Sequence, residues 1–369
     1  MSPTGPLNRR QVVAGAIAGA IAGPVAGRAQ AETPSLGALA RRCGIAFGAA
    51  FDLEAVEDPD YGALIRRHST HTGNTNAFKY DWLRNSGPQA DFTRADRLLR
   101  FAEEARLPFT AAVLFWNDWP PAWLKTESLA RIRYLFDAHI DEVMPRYAGR
   151  IAQWVVVNEP FAPWDKEPGT WRKGPWYAAF GPDYVERAFR RARAADPKAR
   201  LMLNEAFCER RDWIGAAVRP ALLGLVERMK DSGVPLDTVG LQGHVQPQFG
   251  LDHHDYADLM RRLAAFGVAL EITELDVDDA AMTGTLANRD GQVARHYREF
   301  LDAVLQVPQL TGVTTWGLAD RYTWYHEVAR AENALFPRQP RPLPFDERLA
   351  PKPAFAAIAA AFEAGARTR

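Results

Sequence analysis

Short apolar runs alternate with amphipathic helical patterns along most of the chain. The runs fall at 45–50, 110–115, 151–157, 200–204, 238–242, 268–273 and 312–316, with a weaker one at 70–79. Each is too short for a buried helix and reads as a strand enclosed on both faces. Between them lie helical patterns at 130–147, 182–195, 221–230, 255–266, 289–305 and 353–364. In the first of these, Ile132, Leu135, Phe136, His139, Ile140 and Val143 recur at spacings of three and four, which puts one apolar face on the helix. Strand followed by helix, repeated, is the mark of βα units. Eight such units over roughly 335 residues take about 42 each, and no Ser/Gly/Pro-rich linker breaks them. The pattern predicts an α/β chain with a single domain over residues 32–369, a (β/α)8 TIM barrel. A doubly wound open sheet is the alternative, disfavoured because Phe47-Gly48-Ala49-Ala50-Phe51-Asp52 after the first run lacks the glycine spacing of a phosphate loop.

The N-terminus does not share this pattern. Arg9-Arg10, a mild Ala/Gly/Val run over 12–25 and the small-x-small site Ala29-Gln30-Ala31 predict an export signal over residues 1–31, with the mature chain starting at Glu32. The paired arginines resemble a twin-arginine signal, although Gln11-Val12-Val13 replace the usual apolar residue after the pair. A run of about 14 residues is too short for a permanent anchor, so the expectation is a periplasmic or secreted protein with no membrane attachment after processing.

Charge narrows the function classes. Lys and Arg number 45 and Asp and Glu 45, so no basic field gathers nucleic acid. Without Arg9, Arg10 and Arg28 the rest carries 42 basic against 45 acidic residues, a net of −3. Only Cys43 and Cys208 are present, before the first predicted strand and after the fifth; they are expected at opposite ends of the barrel as unpaired structural thiols. No HExxH or CxxC occurs, His253-His254 lacks a third ligand at metal spacing, and no metal or cofactor is expected. That His pair is read as an exposed loop.

In a parallel barrel the polar residues at the C-terminal strand ends share one mouth. Two runs end there in carboxylates: Trp154-Val155-Val156-Val157 leads into Asn158-Glu159-Pro160, and Leu270-Glu271-Ile272-Thr273 into Glu274-Leu275-Asp276. Two carboxyl groups across a sugar can cleave a glycosidic bond, one protonating the leaving oxygen while the other attacks the anomeric carbon. Their environments must differ so that one keeps its proton and the other stays ionised. Taken alone, a carboxylate after a strand is more often a solvated charge; the pairing at strands four and seven, beside Asn158 and His244, carries the catalytic reading.

WVVVNEP and ALEITELDV, about 115 residues apart between their glutamates, resemble the catalytic segments of glycoside hydrolase family 10, the β-1,4-xylanases. FGAAFD, NAFKYDW, WNDWPPAW, LNEAF, GLQGHV, TTWGLADRYTW and PLPFDERLAPKPAFAAI agree in order, so the resemblance spans residues 40–362. It implies Glu159 as acid/base and Glu274 as nucleophile, with Asn158 contacting the sugar 2-hydroxyl. It also implies Gln242 and His244 at the nucleophile, Asp276 orienting His244, Asn76 and Lys79 as polar contacts to the glycone, and Trp123 and Trp316 as aromatic walls. Asn117 stands where the family has a histidine and is taken as a substrate contact. Glu205, where the family has Asp, is a reserve candidate for orienting polar groups. Thr75 replaces a family glutamate, Pro160 the alanine of NEA, and Thr110-Ala111-Ala112 an RGH segment.

The implied function is a retaining, endo-acting hydrolase of β-1,4-xylan, a monomer whose partner is the polysaccharide. Thr75 and Asn117 motivate the alternative of another β-glycan, such as an exopolysaccharide or a glucan. A glycan-binding barrel without turnover is the reading from a different class. Glu271, three residues before Glu274, is expected on the opposite face of its strand, salt-bridged toward the helices. Among the 11 Trp residues, the segment from Trp164 to Trp176, with Trp171 at its centre, is expected to line the leaving-group side.

Overall fold

The computed structural model describes residues 34–326 and 339–367. The export-signal expectation lies outside the described residues.

Eight parallel strands form the barrel: β1 (Ala46–Phe51), β2 (His71–Asn74), β3 (Phe109–Trp116), β4 (Gln153–Asn158), β5 (Arg200–Glu205), β6 (Thr238–Leu241), β7 (Ala269–Val277) and β8 (Leu310–Thr315). Each pairs with its sequence neighbours, β8 pairs with β1, and the pairing of β6 with β7 closes the ring. Beyond Leu241, β6 resumes as the two-residue strand His244–Val245, in register with Asp276 and Val277 of β7. The fold is the (β/α)8 barrel that the alternation predicts. The weak run at 70–79 is indeed a strand, shortened to four residues.

The helices pack outside. In Leu129–Arg146 the buried positions are Ile132, Leu135, Phe136, His139, Ile140, Val143 and Met144, one stripe at helical spacing. Ser128 starts this helix by accepting from the Arg131 N–H; Asp212 caps Trp213–Asp231 through the Ile214 and Gly215 N–H groups. The main apolar core lies between this helical layer and the strands. Inside the barrel lies a small separate apolar layer of Val113, Val155 and Met202, with Ala112 and Trp116 packed against it.

Below that layer the interior is polar. Glu271 accepts from Gln153 Nε2 at 3.0 Å and pairs with Arg200, beside His71, Thr238 and Thr314. The expectation that Glu271 points to the helices is therefore overturned. The β7–β8 register slips between Ile272 and Leu275, so a bulge resets the strict alternation. Glu271 and Thr273 face inward before the slip, and Glu274 and Asp276 face inward after it.

One smaller expectation also changes. His253-His254 opens the helix His253–Ala264 and does not lie in a loop. Cys43 and Cys208 are both buried and are not joined to each other.

Candidate active site

Register sets the rim. Trp116 of β3 pairs with Asn158 of β4, and Asn158 with Asn204 of β5, so the three sit level at the C-terminal mouth. Glu159 follows at once with φ +46°, in the left-handed region, its N–H donating to the Asn204 carbonyl at 2.9 Å. That turn swings its carboxylate into the mouth. There Oε1 accepts from Gln242 Nε2 at 2.8 Å and Asn158 Nδ2 at 3.1 Å. Oε2 accepts from Arg172 at 2.8 Å and the Trp116 indole N–H at 3.2 Å.

Glu274 reaches the same network from β7. Its Oε1 accepts from Asn204 Nδ2 at 2.8 Å, and that amide also donates to Asn158 Oδ1 at 2.9 Å. The two glutamates are thus joined through Asn158 and Asn204. On the other side His244 Nε2 lies 3.2 Å from Glu274 Oε2, and His244 Nδ1 lies 2.9 Å from Asp276 Oδ1. Burial opposes a charge on this ring, but Asp276 and Glu274 outweigh it and push the imidazole well above its ordinary range. Both ring nitrogens of His244 thus face carboxylate oxygens. Asp276 is itself held by the Trp324 indole N–H at 2.8 Å and the Tyr325 hydroxyl at 3.3 Å.

The remaining sequence candidates divide. Lys79 Nζ donates to Asn76 Oδ1 at 2.9 Å and lies 5.1 Å from the Trp116 ring, placing both beside the mouth. Trp316 stands edge-on to His244 at 6.2 Å. Gln242 is brought to Glu159 by its side chain, and only its backbone carbonyl meets Glu274, accepting its N–H at 2.8 Å. Trp123 lies off the network, its N–H on the Arg84 carbonyl at 2.7 Å and its ring 6.4 Å from Tyr80.

Two expectations fail on geometry. The Asn117 side chain is taken up by the fold: its Oδ1 accepts from the Trp176 and Tyr177 N–H groups at 3.0 and 3.2 Å, capping the start of the helix Pro175–Phe180. Gly174 packs so closely there that a Cβ would meet Asn117 at 2.5 Å. Glu205 is fully buried, its side chain is bonded to the backbone at Ala206 and Phe161 and not to a side chain of the network, and burial pushes it well above its usual range. In the segment from Trp164 to Trp176, Trp171 is buried against Phe161 and Tyr184, Trp176 is buried beside Trp116 and Asp118 at the mouth, and Trp164 is half-exposed over Arg172.

Residues not singled out also matter. Asn204 lies at the end of β5, where the strand-end rule drew attention to the charged neighbour. Trp324 and Tyr325 fall inside or beside the TTWGLADRYTW segment. Arg172 follows no strand, and no local pattern marks it.

Paired carboxyl groups in different charge environments at the C-terminal mouth of a parallel barrel define a carbohydrate-cleaving barrel enzyme. Glycosyl hydrolase family 10 matches residues 35–361, and the chain belongs to that family. It is 30% identical over 340 residues to endo-1,4-beta-xylanase C of Phanerodontia chrysosporium, covering 89% of this chain and 79% of that one. It is 31% identical over 327 residues to endo-1,4-beta-xylanase 3 of Hypocrea jecorina, covering 88% and 84%. Among solved structures, native xylanase 10B of Thermotoga maritima superposes with a TM-score of 0.78 at 29% identity, over 91% of this chain and 100% of that one. Xylanase 10B of Thermotoga petrophila in complex with xylobiose gives 0.78 at 28% identity, over 91% and 99%.

Proposed function

We propose that the protein is a retaining endo-1,4-β-xylanase that uses Glu159 as acid/base and Glu274 as nucleophile. The observation that carries this reading is the one network holding both carboxylates, with His244 on Glu274 alone. The printed names of the relatives supply the substrate class, xylan.

In the first step Glu274 attacks the anomeric carbon as Glu159 gives its proton to the leaving oxygen, and a glycosyl ester forms. Ester formation removes the negative charge on Glu274, which favours the ionised form of Glu159. Glu159 then takes a proton from water, which attacks the same carbon and restores Glu274. Asn158, held by Asn204 and Gln242, is positioned to meet the sugar 2-hydroxyl. Asn76, Lys79 and Trp316 complete the sugar site, and Asp276 orients His244. The polymer is the only partner, and the enzyme acts as a monomer after export from the leader of residues 1–31. No helix among the described residues is long and apolar enough to cross a membrane.

Thr75, in place of a carboxylate beside Asn76, favours a second polymer as the competing reading. Reducing-end release from xylan and a panel of β-glycans, with wild type and Glu274→Ala in parallel, tests both. Xylan leading the panel and no release by the variant are expected; equal release by the variant removes the proposal, and a glucan leading the panel replaces the substrate.

A further inference from the structure

Glu159 must hold a proton in one half of the reaction and lose it in the other, yet its carboxylate touches a guanidinium. Arg172 comes from the loop after β4 and is almost fully buried. Nη2 donates to Glu159 Oε2 at 2.8 Å, and Nε donates to the Glu159 carbonyl at 2.9 Å. Nη2 also reaches the Phe161 carbonyl at 3.4 Å. The same side chain therefore ties down both the left-handed backbone and the carboxylate of Glu159. Its plane is roofed by Trp164, 5.3 Å from the guanidinium carbon.

An unshared guanidinium at this distance favours the ionised carboxylate strongly. This one is shared. Nη1 donates at 2.9 Å to Asp118 Oδ2, on the loop after β3, and Asp118 is half-exposed where Arg172 is not. Asp118 lies beside Lys79, Trp116 and Trp119 on the wall of the mouth.

We propose that Arg172 and Asp118 act as one unit that positions Glu159 and sets how tightly it holds its proton. Arg172 pulls toward the ionised form, and Asp118, by sharing the cation and adding a negative field, pulls back. The other groups around Glu159 leave this pair as the controlling charge. From β3 and the end of β6 come the neutral donors Trp116 and Gln242; from β5 comes Glu205, whose burial raises its proton affinity well above the usual carboxyl range. Glu274 on β7 is offset by His244, and Lys79 after β2 sits behind the Trp116 ring. The inference rests on the assignment of Glu159 as acid/base and adds two positioning residues that act through Glu159.

The test is the pH dependence of kcat/KM for wild type, Arg172→Gln and Asp118→Asn on aryl xylobiosides with a poor and a good leaving group. The alkaline limb reports loss of the proton from the acid. With the poor leaving group, Arg172→Gln is expected to move it up by roughly one pH unit, and Asp118→Asn down by about half a unit. With the good leaving group, which needs little acid assistance, both shifts shrink. A merely structural role lowers rates without moving the limb, or moves it the same way in both variants; either result overturns the proposal. Asp118→Asn sits at a half-exposed position and decides the matter if Arg172→Gln does not fold, since an unmoved limb there is equally contrary. Failure of the underlying assignment is distinguishable: Glu159→Gln would then retain wild-type rates on the poor leaving group.

Discussion

His244 donates to the Glu274 carboxylate at 3.2 Å while its other nitrogen is held by Asp276 at 2.9 Å. The two carboxyl groups beside the buried ring push its proton affinity well above the ordinary imidazole range. Asp276→Asn removes one anion and the orientation it gives. We expect kcat to fall on the order of 10–100-fold, the scale of a lost charge-assisted hydrogen bond or two, with KM little changed. Steady-state kinetics on xylan check this; a change in KM alone would place Asp276 in substrate binding.

Glu159→Ala separates proton transfer from attack. On xylan, whose leaving group is poor, the loss is expected at about 10²–10⁴-fold. On an aryl glycoside with a strongly acidic phenol the first step needs little protonation, and the loss in kcat/KM should be far smaller. Equal losses on the two substrates would argue against Glu159 as the acid.

Asn117 is a position where sequence similarity and geometry disagree. Its side chain satisfies two N–H groups at the start of Pro175–Phe180. Asn117→Ala should therefore lower stability by about 1–2 kcal/mol and leave KM for xylan unchanged. Thermal unfolding and kinetics on one preparation distinguish this from a lost substrate contact, which would raise KM at constant Tm.

Glu209, just after Cys208, is buried. Burial, opposed by its own backbone N–H, His244 and Arg210, pushes it from 4.5 to about 7. The folded state then binds more protons than the unfolded one between those values, so Glu209 erodes stability as pH rises through that window. Glu209→Gln should match wild type in Tm near pH 4.5 and exceed it at pH 8. A Tm difference independent of pH would contradict the assignment.

The fold was legible because burial on both faces leaves strands as plain apolar runs, and the helices carry regular stripes. Strand-end carboxylates were legible for the same reason, since a charge directly after a buried run has few places to go. Glu271 misled because alternation assumes an unbroken strand, and the bulge at 272–275 depends on pairing with β8 that no local pattern encodes. Arg172 was invisible for a related cause. Its partners Glu159 and Asp118 are 13 and 54 residues away, brought together by tertiary packing. Asn117 and Trp171 were read by chemical type, whereas their roles follow from the helix and aromatic cluster they happen to face.

The central claim is that Glu274 becomes covalently attached to the sugar. A 2-deoxy-2-fluoro xylobioside with a good leaving group should inactivate the enzyme, and peptide mass mapping should find one disaccharide on Glu274. A sugar attached to any other residue, or inactivation without attachment, would contradict the account.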